Sequence, residues 1–309
     1  MEKEPSDILC IVFETNSFWW GQLLEIQQNS LSLQIVVDAV VAFGRCHLLR
    51  RSESKLFIIS AGCGSCDVIF STSSSNGNSL EDSGETRDRL GVALHNDLEH
   101  CRQHLSQQAT HSSFKPESLL AGALCKCLCY ANKQKKNATG AVSSGLKVRV
   151  VVIKVSDDTT SQYMNLMNVF FTAQKHNIAI DSLILNKTSI FMEQAADITG
   201  GFAMKCSEID DRLLNRLMFL YSSGPDTRHL LQLPSVPGGM IDCRPSCFCH
   251  HRLIDIGFVC SVCLSVFCSF RPICSTCGTA FKLPLLPSKK KRKLGSANSR
   301  EQSPVTRSA

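Results

Sequence analysis

Eight cysteines lie between Cys243 and Cys277, and no other feature of the sequence limits the fold as much as their spacing. Two Cys-x-x-Cys pairs, Cys260/Cys263 and Cys274/Cys277, stand ten residues apart. Each pair makes a tight knuckle with both thiolates on one side, and two knuckles supply the four-sulfur tetrahedron that Zn²⁺ prefers. Phe258, Val262, Phe267 and Ile273 can form a small apolar centre between them. A module this short cannot bury enough surface to fold alone, so metal binding has to supply folding free energy. A cross-braced order, with first and third ligand pairs on one metal and second and fourth on another, offers a second site. Its ligands would be Cys247, Cys249 and Cys268, with His250 or His251 as the fourth. The competing reading packs these thiols as small apolar residues, so the spacing implies one zinc ion and leaves a second open. Cys243 has no partner at useful spacing.

Metal is favoured over disulfides by compartment. The chain has 17 cysteines, an odd number. Met1-Glu2-Lys3-Glu4-Pro5 has acidic residues where a secretory leader would carry basic ones, and no continuous apolar run reaches the ~18 residues of a membrane helix. The expectation is a protein kept inside the cell, where thiols stay reduced, with no membrane partner. Hydrophobic residues at 43% and charged residues at 19% fit a folded protein. Residues 288–309 hold seven basic residues against Glu301, a balance equal to the whole chain's +6. The rest is therefore neutral and lacks the basic footprint of a DNA-binding domain. The run Lys289, Lys290, Lys291, Arg292, Lys293 reads as a nuclear localisation signal, against the plainer reading of a solvated tail.

Upstream, strands alternate with helices. Ile8–Phe13 is a short apolar run, the pattern of a strand buried on both faces. Ser30 can cap a helix over 31–48. Strands 55–60 and 66–71 flank a Gly62-Cys63-Gly64 turn, as in a hairpin. A serine-rich exposed loop fills most of 71–89. Helices are expected over 90–108 and from Pro116 to Tyr130, then a polar connection over 132–145. Strand 147–155, helix 160–176, strand 178–185, helix 190–199, strand 202–205 and helix 210–221 follow. This order implies a doubly wound α/β fold with a mostly parallel sheet and helices on both faces. The domain limits expected are 1–230 for the α/β domain, 231–242 for a linker, 243–287 for the zinc module and 288–309 for a basic tail.

Three stretches carry a family resemblance: 8–21 (ILCIVFETNSFWWG), 196–205 (ADITGGFAMK) and 247–277 (CFCHHRLIDIGFVCSVCLSVFCSFRPICSTC). The α/β order resembles a von Willebrand factor A domain. With the cysteine module behind it, the chain resembles the Tfb4 family, the smaller A-type subunits of general transcription factor TFIIH, over nearly its whole length. The resemblance implies a non-enzymatic scaffold whose A domain binds the larger A-domain subunit of TFIIH, and through it the other core subunits. It also implies work in the nucleus, in transcription initiation and nucleotide excision repair, with nucleic acid touched at most indirectly. Metal-binding A domains hold Mg²⁺ with an Asp-x-Ser-x-Ser motif after the first strand, and the matching positions here are Glu14, Asn16 and Phe18. Phenylalanine cannot coordinate, and the longer glutamate misplaces its carboxylate. Asn186 stands where such domains often carry another aspartate. No Mg²⁺ is therefore expected there.

Other candidates weigh less. Cys125, Cys127 and Cys129 alternate within a predicted helix, which suits packing better than a metal. Cys63-Gly-Ser-Cys66 has redox spacing but lies between strands. His100 and His104 stand one helical turn apart without further ligands. Trp19-Trp20 can anchor a loop on a partner or within the fold. Phosphate-loop, nucleophile-elbow and His-Glu-x-x-His signatures are absent from the sequence. The rival functions are a RING-like ubiquitin ligase, weakened by the missing Cys-x-His-x-x-Cys core, and nucleic-acid binding by the module. The second is weakened because Arg244, Arg252 and Arg271 make too few phosphate contacts.

Overall fold

A strand whose neighbours on both faces are apolar has to sit inside a sheet covered on both sides, and β1 (Asp7–Glu14) does so. The computed structural model describes residues 7–27, 32–50, 53–72, 86–96, 117–137, 146–186, 188–206, 209–210, 212–223, 228–231, 243–250, 252–263 and 265–281. Backbone contacts divide the chain into two compact units. The first comprises Met1–Ser246 with His251–Leu253, the second Cys247–His250 with Ile254–Ala309.

In the first unit, β2 (Lys55–Ala61), β3 (Val68–Ser71), β4 (Lys147–Lys154), β5 (Ala179–Ile184) and β6 (Ala203–Lys205) join β1 in one sheet of order β3-β2-β1-β4-β5-β6. All pairs are parallel except the β2–β3 hairpin. This is the doubly wound, mostly parallel sheet that the alternation implies, and it agrees with the von Willebrand A-like fold that the resemblance implies. Side chains alternate between faces along each strand. Ile8, Cys10 and Val12 face α4 (Leu120–Asn137), α5 (Tyr163–Lys175) and α6 (Ile190–Thr199). Leu9, Ile11 and Phe13 face α1 (Ser17–Gln27), α2 (Ser32–Arg50), the helical residues 86–96 (α3) and α7 (Leu213–Arg216). Each such buried side chain contributes about 1.5–3 kcal/mol. By length and mean hydropathy, α2 could cross a membrane. Here Val36, Val37, Val40 and Phe43 place that apolar face in the core.

The differences from the expected elements have local causes. No element is expected over 17–27 from the sequence, yet α1 starts directly after the β1 loop and buries Trp19, Trp20 and Leu23. The helix expected to end at Tyr130 runs on to Asn137, because Ala131 and Gln134 still face the core. At 160–162 the chain makes a 3₁₀ turn before α5, and beyond Arg216 it widens into a π turn over Leu217–Tyr221. The bounds of α6 are as expected. Ser189 caps its start by accepting from Met192 N, and Gly200, at φ 69°, ends it in the left-handed conformation. Pro116, Ser30, most of the serine-rich loop and the 232–242 linker lie outside the described residues.

Candidate metal centres

In the second unit the interval between Cys260 and Cys277 is organised by two repeated turns. Strands β7 (Phe258–Val259) and β8 (Val266–Phe267) form a hairpin whose turn is the first knuckle. There Cys260 N donates to Ser265 O at 2.9 Å. At the second knuckle Cys274 N donates to Thr279 O, also at 2.9 Å, and Ile273 pairs with Ala280. Gly278 follows Cys277 with φ 71°, a conformation glycine adopts without the Cβ penalty. The sulfurs of Cys260, Cys263, Cys274 and Cys277 all lie within 4.8 Å of one another. Cys260–Cys277 and Cys263–Cys274 stand at 3.7 and 3.6 Å. Four sulfurs around a tetrahedral zinc stand about 3.8 Å apart, given Zn–S bonds of about 2.3 Å. The donor set fits the ion.

Two further residues belong to this centre, and the ligand rules alone do not find them. Ser265 Oγ lies 3.1 Å from Cys263 Sγ, and Thr279 Oγ1 lies 3.1 Å from Cys277 Sγ. The Ser265 hydroxyl and backbone hold the Cys263 thiol down at about 6, and Thr279 lowers Cys277 in the same way. The legible signal is a hydroxyl two residues after each second cysteine, repeated as Cys-x-x-Cys-x-Ser and Cys-x-x-Cys-x-Thr.

The second set is also assembled. Cys247, Cys249, His250 and Cys268 offer one donor each within 4.8 Å of one another. His250 Nδ1 lies 3.1 Å from Cys249 Sγ, 3.2 Å from Cys268 Sγ and 3.9 Å from Cys247 Sγ. Backbone N–H groups of Cys249 and Cys268 each donate to Cys247 Sγ at 3.4 Å. Burial raises the Cys247 thiol, but the hydrogen bonds from Cys249, Cys268 and His250 outweigh it and bring it to about 5. The two sets interleave along the chain, as cross-bracing requires. His251 lies outside the described residues, and Cys243 is exposed and joins neither set. All sixteen described cysteines are free.

The other sequence candidate is the C-terminal edge of the large sheet, between β1 and β4. Glu14 is fully buried, and its Oε2 accepts from Val155 N at 2.6 Å and Ser156 N at 2.8 Å. Asn16 Nδ2 donates to Ser118 Oγ at 3.0 Å. Phe18 packs edge-on against Trp19, with ring centroids 5.4 Å apart. Asn186 follows β5 with an uncharged side chain. Backbone donors occupy Oε2 of the one carboxylate of the motif, Phe18 offers no oxygen and Asn186 no charge, so these residues do not fit Mg²⁺, which needs several charged oxygen ligands.

The lesser candidates resolve as structure. Trp19 and Trp20 are both buried, and Trp20 Nε1 donates to Glu14 O at 2.8 Å, fixing the end of β1. Within α4 it is Cys127 that packs in the core, while Cys125 and Cys129 are exposed. Cys66, in the hairpin turn, donates to Leu119 O just before α4, and burial raises its thiol. His100, His104 and Lys289–Lys293 lie outside the described residues.

An A-type α/β domain followed by a small module with two interleaved sets of side chains able to hold a metal defines the class of protein. The family model for transcription factor Tfb4 matches residues 6–278. General transcription and DNA repair factor IIH subunit TFB4 of Arabidopsis thaliana is 32% identical over 287 residues, covering 90% of this chain and 91% of that one. General transcription factor IIH subunit 3 of Dictyostelium discoideum is 30% identical over 271 residues, covering 84% and 71%. The crystal structure of the TFIIH p34 N-terminal domain superposes with a TM-score of 0.53 at 25% identity, covering 70% of this chain and 97% of that one. The chain belongs to the Tfb4 family.

Proposed function

We propose that this protein is a non-catalytic scaffold subunit of the TFIIH core, serving RNA polymerase II transcription initiation and nucleotide excision repair through protein contacts. The observation that carries this reading is the extent of the match, which spans 90% of the chain and 91% of a relative named as a factor IIH subunit. The α/β domain and the metal module thus come together in both proteins. The partner is the larger A-domain subunit of TFIIH, and through it the other core subunits. Nucleic acid is touched at most indirectly, in keeping with the neutral body of the chain.

Cys260, Cys263, Cys274 and Cys277 hold one zinc ion in this reading, and Cys247, Cys249, His250 and Cys268 hold a second. Both ions are structural: each closes a coordination shell and takes the place of a hydrophobic core. The domain limits remain those read from the sequence, at 1–230, 231–242, 243–287 and 288–309. A transcription factor subunit works in the nucleus, and Lys289–Lys293 serve as the import signal. Co-expression with the larger A-domain subunit tests the reading. Wild type and Glu14→Gln pull the partner down equally, whereas Cys260→Ser loses zinc and weakens capture. Undiminished capture by a zinc-depleted Cys260→Ser chain overturns the role given to the module, and a wild-type chain that captures no partner overturns the scaffold.

A further inference from the structure

The edge that does not fit Mg²⁺ already contains a cation. Lys154 is the last residue of β4, beside Glu14 at the end of β1, and only 3% of it is exposed. Its Nζ donates to Ser156 O, lies 3.3 Å from Ser156 Oγ and pairs with Asp158 Oδ1 at 3.2 Å. An ammonium has three donors, and three oxygens meet them. Asp158 is in turn tied to the start of α6, accepting from Ser189 Oγ at 2.5 Å and from Phe191 N at 3.2 Å. Ser156 joins the two halves of the edge, because its N–H serves Glu14 while its carbonyl and hydroxyl serve Lys154.

We propose that Lys154 is a tethered cation, which holds the β4 loop and the start of α6 together as a bound divalent ion would. The edge is thereby fixed in one conformation independent of Mg²⁺. Two observations beyond the contacts support this. The depression lined by Lys154, Ser156, Asp158 and Gln162 has about 20 Å³ of free volume. That is room for roughly one water within the depression itself. Glu14 and Asp158, two of the carboxylates at this edge, each accept from the chain itself, Glu14 through Oε2 from Val155 N and Ser156 N, and Asp158 from Ser189 Oγ and Phe191 N. A partner that docks here meets a surface whose shape does not vary with divalent ions.

Thermal melting of the zinc-loaded full chain, with and without millimolar Mg²⁺, tests the proposal. Wild type is unmoved by Mg²⁺. Lys154→Met leaves the partly buried Asp158 without its cation, though still bonded to Ser189 and Phe191, and lowers the melting temperature by roughly 2–12 °C, as losing a hydrogen-bonded charged partner does in a domain of this size. Added Mg²⁺ recovers part of that loss, because the freed oxygens accept it. Lys154→Met/Asp158→Asn melts higher than Lys154→Met, which keeps the test decisive even if the single variant folds poorly. A wild type stabilised by Mg²⁺, a Lys154→Met chain as stable as wild type or indifferent to Mg²⁺, or a double variant no better than the single, each overturns the proposal.

Discussion

His47 is held neutral inside the α/β domain, and this gives stability a pH dependence of known sign. Its ring, on α2, is only 7% exposed. Burial lowers its pKa first, the Arg149 guanidinium on β4 and Arg50 on α2 lower it further, and Asp7 on β1 raises it partly back, to about 4 from 6.5. The folded pKa lies below the unfolded one, so the unfolded chain binds a proton first as pH falls. Stability is therefore unaffected above about pH 6.5, falls between 6.5 and 4, and levels off below 4. A shift of this size corresponds to about 3 kcal/mol, with a slope of no more than ~1.4 kcal/mol per pH unit. Urea unfolding at pH 7.5, 6.5, 5.5 and 4.5 reads it for wild type and His47→Gln. Protonation of the proposed zinc ligands contributes equally to both chains, so the difference in slope belongs to His47. Parallel slopes for the two proteins would refute the reasoning.

Three other perturbations have definite outcomes. Ser265→Ala and Thr279→Ala each remove a hydroxyl that supports a ligand sulfur, and each weakens zinc about 10–100-fold in competition with a chromophoric chelator. Equal affinity would remove these residues from the centre. Gly201→Ala places a Cβ 1.9 Å from the Ile180 carbonyl oxygen on β5, so the backbone must shift, at about 1–3 kcal/mol or more in urea unfolding. Trp20→Phe keeps an aromatic side chain but removes the indole N–H that donates to the Glu14 carbonyl and part of the buried ring, costing at least about 1–3 kcal/mol by the same assay.

What could be read from sequence followed how local the signal is. The run 8–13 is marked by its apolar composition and the helix 190–199 by its place in the alternation of strands and helices, and both appear as expected. The four-cysteine set is equally local, since two knuckles define it. Whether Cys247, Cys249 and Cys268 pack or ligate depends on folding 18 residues of chain to bring His250 beside Cys268, which spacing alone does not decide. Helix α1 was missed because Asn16 and Gly21 bracket the two tryptophans with poor helix formers, while burial of Trp19, Trp20 and Leu23 holds it. Lys154 sits in an apolar strand as an apparent exception. Only the parallel pairing of β4 with β1, and the loop that follows, show what its charge is for.

Native mass spectrometry of the full chain co-expressed with the larger A-domain subunit, and of the chain alone, reads metal count and assembly together. Two zinc ions on the isolated chain and a one-to-one complex with the partner are expected. A chain that is zinc-free and monomeric in both preparations contradicts the scaffold built on two cross-braced metal centres.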